Sequence, residues 1–198
     1  MAGAACAAGS AALGFTGLGA VFLAGTAFSV WFFRNPSRTI PQAAKLVVSP
    51  GDGRVMTVVK EEEPRFLKDQ ATRVSIFLSP LNVHINRIPC SGTVTAVAHS
   101  LGKFLVASRP GATLENEQTA VLIETDDGHR VLCVQVAGYV ARRIITWLMP
   151  GERVTRGERY GLIRFGSRMD LYLPALTTVK VVPGSRVRGG ETVIGVLP

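Results

Sequence analysis

The sequence predicts a mainly β fold preceded by one apolar helix. Helical periodicity is scarce after Lys45, where short apolar runs are bounded by Gly, Pro, Asp or Ser. Ala11 to Phe33, by contrast, is 23 residues long and carries no charged side chain. A third sign is internal. Pro150-Gly-Glu-Arg-Val-Thr-Arg-Gly-Glu158 echoes Pro183-Gly-Ser-Arg-Val-Arg-Gly-Gly-Glu191 at an offset of 33 residues.

The apolar stretch comes first in the chain. At about 1.5 Å per residue it would reach about 34 Å as a helix, against a hydrocarbon core of about 30 Å. Gly14, Gly17, Gly19 and Gly25 suit close helix contact in a membrane while weakening the helix itself. Trp31, Phe32 and Phe33 form an interfacial belt, followed by Arg34, Arg38 and Lys45. A signal peptide would want basic residues before the apolar run, and none occurs there. The reading is a membrane-anchoring helix with the remaining domain on the cytoplasmic side of the cell membrane. Asn35-Pro36 and Pro41 end the helix and open a linker. The predicted division is anchor and linker over 1–40 and a β domain over 41–198.

Strands are predicted at Lys45–Val48, Arg54–Val59, Val74–Leu78, Gly92–Ala98, Ala120–Thr125, Arg130–Val136, Tyr160–Phe165, Met169–Leu173 and Thr178–Val182. Ala141 to Met149 fits a turn of helix or a further strand. Each copy of the echo reads as strand, Gly-rich turn, strand. Two such units around one core would make a compact sandwich or barrel. The repeat resembles the half-motif of lipoyl- and biotinyl-type domains, which implies a barrel-sandwich-hybrid-like β domain.

Composition narrows the partners. The net charge is +8, and all 22 basic residues lie from Arg34 onward. That predicts an anionic partner. Nucleic acid is not it, because the chain has no zinc-finger spacing, no RNP-like aromatic motif and no dense Lys/Arg block. An acidic membrane surface fits. Cys6, Cys90 and Cys133 are far apart and lack metal-ligand spacing, so small buried thiols are expected and no metal site.

One bond stands out chemically. Gly166-Ser167 sits in Leu162-Ile-Arg-Phe-Gly-Ser-Arg-Met-Asp-Leu-Tyr-Leu-Pro174, where strand-like alternation flanks it. A hydroxyl next to the preceding carbonyl is the simplest arrangement for backbone self-attack, and Gly tolerates the distortion required. Ester formation and elimination would leave a pyruvoyl group on a new chain terminus. A nucleophilic Ser needs a base, and a His base needs an orienting acid. Of the three histidines, His129 lies in a hairpin-tip sequence, Asp126-Asp-Gly-His, and His99 ends an alternating strand. His84 interrupts an apolar stretch with polar neighbours. Asp52, in Ser49-Pro-Gly-Asp-Gly53, is the best acid candidate, although that run is also a good tight turn.

Six segments, in order, resemble the short phosphatidylserine decarboxylase proenzymes. They are Trp31-Phe-Phe-Arg-Asn-Pro36, Ser49-Pro-Gly-Asp-Gly-Arg-Val55, Leu78-Ser-Pro-Leu-Asn-Val-His-Ile-Asn-Arg87, Gly102-Lys-Phe-Leu-Val-Ala-Ser108, Gln135-Val-Ala-Gly-Tyr-Val-Ala-Arg-Arg143 and Arg164-Phe-Gly-Ser-Arg-Met-Asp-Leu-Tyr-Leu-Pro174. His84 falls on the family's motif histidine. Longer members carry a second histidine three residues on, where this chain has Arg87.

The resemblance implies a proenzyme that cuts itself at Gly166-Ser167 into a β chain, 1–166, and an α chain, 167–198, which stay together as a heterodimer. Asp52, His84 and Ser167 would carry the self-cleavage. The covalent cofactor would be the pyruvoyl group derived from Ser167. Phosphatidylserine in an anionic membrane would form a Schiff base with it, lose CO2 and leave as phosphatidylethanolamine. Arg87, Arg142 and Arg143 would hold the substrate's phosphate or carboxylate. Two alternatives remain open at this point. One is an archaetidylserine decarboxylase, with the same headgroup on an ether lipid. The other is a non-enzymatic membrane-tethered β-hybrid binding module.

Overall fold

The structure, a computed structural model, describes residues 2–3, 5–6, 8, 14–102, 116–138, 144–163 and 167–198. It divides into two compact units, Met1–Pro36 and Ser37–Pro198.

In the first unit, helix α1 spans Thr16–Phe32. Gly14, with φ at +78°, lies just ahead of it in the left-handed region that glycine tolerates. Phe15 is the N-cap. Seventeen residues reach about 25 Å at 1.5 Å each, short of a core of about 30 Å. Among the described residues, no helix is long and apolar enough to cross a membrane. The expected span from Ala11 to Phe33 is therefore not present as one continuous described helix, and residues 9–13 lie outside the described set. The helix is nonetheless apolar, with Val21, Leu23 and Val30 exposed. Its hydroxyls turn inward: Thr26 and Ser29 donate to the carbonyls of Phe22 and Gly25, each at 2.8 Å.

The second unit is mainly β. Its strands are β1 Leu46–Val48, β2 Gly53–Glu63, β3 Asp69–Leu78, β4 Ile85–Arg87, β5 Gly92–Ser100, β6 Gln118–Glu124, β7 Arg130–Val136, β8 Ile144–Thr146, β9 Arg153–Val154, β10 Arg159–Ile163, β11 Ser167–Pro174, β12 Thr178–Val179, β13 Arg186–Val187 and β14 Val193–Val196. An eight-stranded sheet, ordered β13-β2-β3-β11-β7-β6-β5-β9, curls into a half-barrel. Two three-stranded sheets, β1-β14-β12 and β4-β10-β8, accompany it.

That order reads alike from either edge. Strands β1 and β4 begin 39 residues apart, at Leu46 and Ile85, and so do β2 and β5, at Gly53 and Gly92. The second strand of each half carries a bulge at the corresponding place, Val55/Thr57 in β2 and Val94/Ala96 in β5. The echoed segments supply the two outermost strands, β9 and β13. Gly151 and Gly184 open them with φ near +90° and donate to Val94 and Val55 respectively. The echo therefore adds one short edge strand and two turns to each half. Such short edge strands are a common way of blunting a sheet edge. One half comprises β4 to β10. The other is β1 to β3 completed by β11 to β14, so the chain returns to its first half between β10 and β11.

The central strands β6, β7 and β11 are buried on both faces. One face carries Ile76, Leu78, Val121, Ile123, Cys133, Met169 and Leu171 of the main core. The other carries a smaller cluster around Leu67, Leu122, Leu132, Val134 and Tyr172. Residues 37–45, of which 37–40 belong to the expected linker, form no regular element but are tied to the domain. Arg38 pairs with Asp52, and Arg156 donates to the carbonyls of Pro41 and Leu46.

Cys90 and Cys133 are free, buried thiols. Burial pushes both up to about 12, with Cys133 adding to the rise at Cys90 and Asp170 to that at Cys133. Cys133 also lies 3.3 Å from the buried Tyr160 hydroxyl. In native protein at pH 8, a maleimide should label exposed Cys6 and leave Cys90 and Cys133 untouched until denaturant is added. Mass spectrometry of the labelled chain reads this directly, and rapid native labelling of Cys133 would contradict the packing.

Candidate active site

Ser167 opens β11, the strand at the centre of the large sheet. It pairs with Leu78, the last residue of β3. Its side chain is fully buried, and Oγ has no hydrogen-bond partner among the described residues. A buried hydroxyl without a partner is costly and calls for an explanation. Side chains alternate along a strand, so Ser167 shares a face with Met169. Met169 pairs with Gln135 on β7, which places Gln135 on that same face, diagonal to Ser167.

Gln135 Nε2 donates to Asn86 Oδ1 at 2.8 Å. Gln135 Oε1 and Asn86 Nδ2 are themselves buried without partners among the described residues. The tight turn before β2 closes the group. A side-chain carbon on Gly51 would meet Leu78, Met169 and Asn86 within 3.2–3.7 Å. Three orphaned polar groups, on Ser167, Asn86 and Gln135, thus gather at one end of the sheet. Sequence reasoning passed over the two amides. The signal for Gln135 was polarity inside an otherwise apolar run, while Asn86 sits in a three-residue strand beside Arg87.

His84 lies just before β4 and is 2% exposed. Its carbonyl accepts from Ile163 N at 3.3 Å, at the end of β10. Its ring Nδ1 lies 2.9 Å from the Asn82 carbonyl. A carbonyl only accepts, so Nδ1 carries the proton and Nε2 is the basic nitrogen of the neutral ring.

Asp52 takes a different place from the one its motif suggested. Both carboxylate oxygens accept from Arg38, at 2.9 and 2.8 Å, and Oδ1 also accepts from Gly189 N at 2.8 Å. Among the described residues it makes no hydrogen bond to His84. The reason is local: the Arg38 side chain is 7% exposed and needs a carboxylate, and among the described residues the other one near it is Glu191, at 3.6 Å. The segments are still neighbours, since Arg87 N donates to Pro50 O at 2.8 Å. Arg87 Nη1 donates to Gly157 O at 2.8 Å. Burial first, then the cations Arg38 and Arg159, pull its pKa down. Gly166, Arg142, Arg143 and the Lys103–Ser108 motif lie outside the described residues.

The opposite face of β11 holds a pair that sequence reasoning also missed. Arg168 Nε donates to Asp170 Oδ1 at 2.7 Å, with side chains 3% and 0% exposed. Arg73 bonds Glu61 through two nitrogens and comes within 4.0 Å of Asp170. These charges lock the strand that begins with Ser167. Two opposite charges two residues apart in an apolar strand were the available signal.

His99 and His129 lie elsewhere. His99 Nδ1 meets Thr119 Oγ1 at 3.0 Å, and His129 Nε2 meets Pro198 O at 3.0 Å. No group of three His, Cys, Asp or Glu side chains among the described residues could hold a metal ion.

Comparison with known proteins bears on this site. The family model described as "Phosphatidylserine decarboxylase" matches residues 26–195. The chain belongs to the phosphatidylserine decarboxylase family. It is 54% identical to the phosphatidylserine decarboxylase proenzyme of Symbiobacterium thermophilum over 181 residues, 91% of this chain and 84% of that one. The proenzyme of Geobacter sulfurreducens is 51% identical over 179 residues, covering 90% and 82%. That of Syntrophus aciditrophicus is 43% identical over 173 residues, covering 87% and 81%. Members of this proenzyme family are decarboxylases, hence lyases, that act in phospholipid metabolism. The alternative of a non-enzymatic tethered module falls away. A decarboxylase gains from a site where a departing carboxylate is poorly solvated. Ser167, His84, Asn86 and Gln135 are each no more than 2% exposed.

Proposed function

We propose that this chain is a self-cleaving, pyruvoyl-dependent enzyme that converts phosphatidylserine into phosphatidylethanolamine and CO2. The observation that supports it most is the buried, unpartnered Ser167 hydroxyl at the head of a strand paired on both sides. His84 Nε2 takes the Ser167 proton, and Oγ attacks the Gly166 carbonyl carbon. The Gly166–Ser167 amide becomes an ester. Loss of the Ser167 α-proton then expels the Gly166 carboxylate and leaves dehydroalanine. Water converts that group to a pyruvoyl terminus and releases ammonia. The products are a β chain, 1–166, and an α chain, 167–198, which remain a heterodimer.

The surroundings suit such a group. Among the described residues Asn86 Nδ2 is an unpartnered donor for a carbonyl oxygen, and Gln135 Oε1 is an unpartnered acceptor for a nitrogen-bound proton. When present, the pyruvoyl ketone supplies a carbonyl for the substrate amine and an electron sink for decarboxylation. His84 is the candidate to hold and return a proton there. Asp52 acts on the same end of the sheet through its turn, with Arg38 as its partner in the uncut chain. Arg87, crowded by Arg38 and Arg159, and Arg142 and Arg143 are proposed for the substrate's anionic groups. Helix α1 with its Trp31–Phe33 belt would hold the enzyme at the cell membrane, with the β domain on the cytoplasmic side.

Intact mass of purified protein tests the proposal. Two fragments are expected, the smaller one blocked to amino-terminal sequencing. A single uncut species that decarboxylates phosphatidylserine at full rate would overturn it. His84→Ala should slow self-cleavage or turnover by about 10²–10⁴-fold. Normal rates in both would remove His84 from the acid–base role.

A further inference from the structure

Arg54 and Arg186 stand directly opposite each other across the β2–β13 pair. Like charges at that spacing repel and destabilise a sheet. No carboxylate intervenes, and neither residue forms an ion pair among the described residues. Both are exposed. Arg188, two residues further on, adds a third guanidinium, paired among the described residues with Glu191 at 3.8 Å. Together with Phe77, Ser79 and Asn82, these arginines line a cleft of about 520 Å³. Asp52 also lines it, but Arg38 already neutralises that carboxylate. The cleft therefore carries positive charge at Arg54 and Arg186 that no ion pair among the described residues offsets.

Its position matters. Arg54 pairs with Phe77, and Phe77 pairs with Arg168, the residue after Ser167. Two strand spacings, about 10 Å, separate Arg54 from β11. Ser79 and Asn82 belong to the loop beyond the end of β3, and Asn82 is the residue whose carbonyl holds His84. The register puts Arg54 and Phe77 on the Arg168 face of the sheet, opposite Ser167, and Ser79 and Asn82 carry the cleft to the end where β11 begins. Leu81, 65% exposed, gives its rim an apolar point.

We propose that the Arg54–Arg186–Arg188 cleft binds the phosphodiester of the glycerophospholipid substrate. This rests on the proposed reading that the substrate is a phospholipid. Guanidinium forks bond phosphate oxygens in pairs, and the ligand's charge relieves the repulsion between Arg54 and Arg186. Phe77 and Leu81 meet the apolar part of the lipid beyond the phosphate.

The test uses the full chain carrying Ser167→Ala, so that binding is read without turnover. Its affinity for short-chain phosphatidylserine, below the micellar concentration, is measured by calorimetry. Adding Arg54→Ala and Arg186→Ala should weaken binding at least about tenfold, as the loss of charged hydrogen bonds predicts. Adding Lys60→Ala instead, an exposed cation on β2 that does not line the cleft, should leave affinity unchanged. Glycerophosphoserine should displace the lipid, and inorganic phosphate should do so only weakly. The proposal is overturned if the parent chain does not bind, if the double variant stays within twofold of it, if Lys60→Ala loses as much, or if inorganic phosphate competes equally well. Absence of decarboxylation by the wild-type chain would strike the proposed activity instead and leave this binding result standing. The double variant should also melt no lower than its parent, which separates a lost site from a lost fold.

Discussion

Ser167→Ala should yield one uncut 198-residue chain with no measurable decarboxylation and an undiminished melting temperature. The loss of activity follows from the proposed chemistry. Without Oγ there is no attack on Gly166, no new terminus and no ketone. The retained stability follows from the structure. The hydroxyl is buried and makes no hydrogen bond among the described residues, so removing it relieves a desolvated polar group. Alanine keeps the β-carbon and leaves the pairing with Leu78 intact. A catalytic loss caused by misfolding would lower the melting point alongside the activity. Intact mass, a lipid decarboxylation assay and thermal denaturation separate the cases. A cleaved and active Ser167→Ala protein would remove Ser167 from the mechanism.

Asp170→Ala should be the most damaging single change to the fold. It removes the carboxylate that Arg168 Nε bonds, and that guanidinium is almost wholly buried in the central strand. Removing one member of a buried ion pair costs about 3–5 kcal/mol, because the remaining charge stays desolvated. For a domain of this size that lowers the melting temperature by on the order of 10 °C. Arg73 also comes within 4.0 Å of Asp170 and loses a counter-charge. Replacing the pair together, Arg168→Met with Asp170→Leu, should restore most of the stability, since an apolar pair of similar volume carries no desolvation penalty. The double-mutant cycle measures the coupling. If Asp170→Ala cost less than about 1 kcal/mol, the pair would be no more than a solvated surface contact.

The strand core was legible wherever apolar runs were long. Arg130–Val136 coincides with β7, and Ala120–Thr125 overlaps β6, because both faces of these strands are packed and apolar residues run nearly unbroken through their middles. Strands of two or three residues, such as β4 and β13, carry no period to detect. The offset of 33 was visible because turn glycines are irreplaceable at positive φ, as at Gly151 and Gly184. The offset of 39 was not, because little beyond glycine and valine is shared between Gly53-Arg-Val55 and Gly92-Thr-Val94. Charge was the least readable feature. Arg38 looked like a cation flanking a membrane segment, yet it is buried against Asp52, a partner 14 residues away. His84 and the turn of Asp52 were named from their motifs. That they adjoin one another could be known only once β4 was seen lying against Pro50.

The return of the chain from one half of the domain to the other has a thermodynamic consequence. The proposed scission falls at that crossing, and β11 just beyond it sits between β3 and β7 in the middle of the large sheet. Before the cut, folding is a unimolecular event. After it, the same architecture is a complex of two strangers, whose assembly depends on concentration and whose shorter member exposes an apolar strand when released. Maturation would therefore convert a reversible folder into a kinetically trapped one. Dilute mature enzyme, once melted, should fail to regain activity under conditions in which the uncut chain recovers its fold.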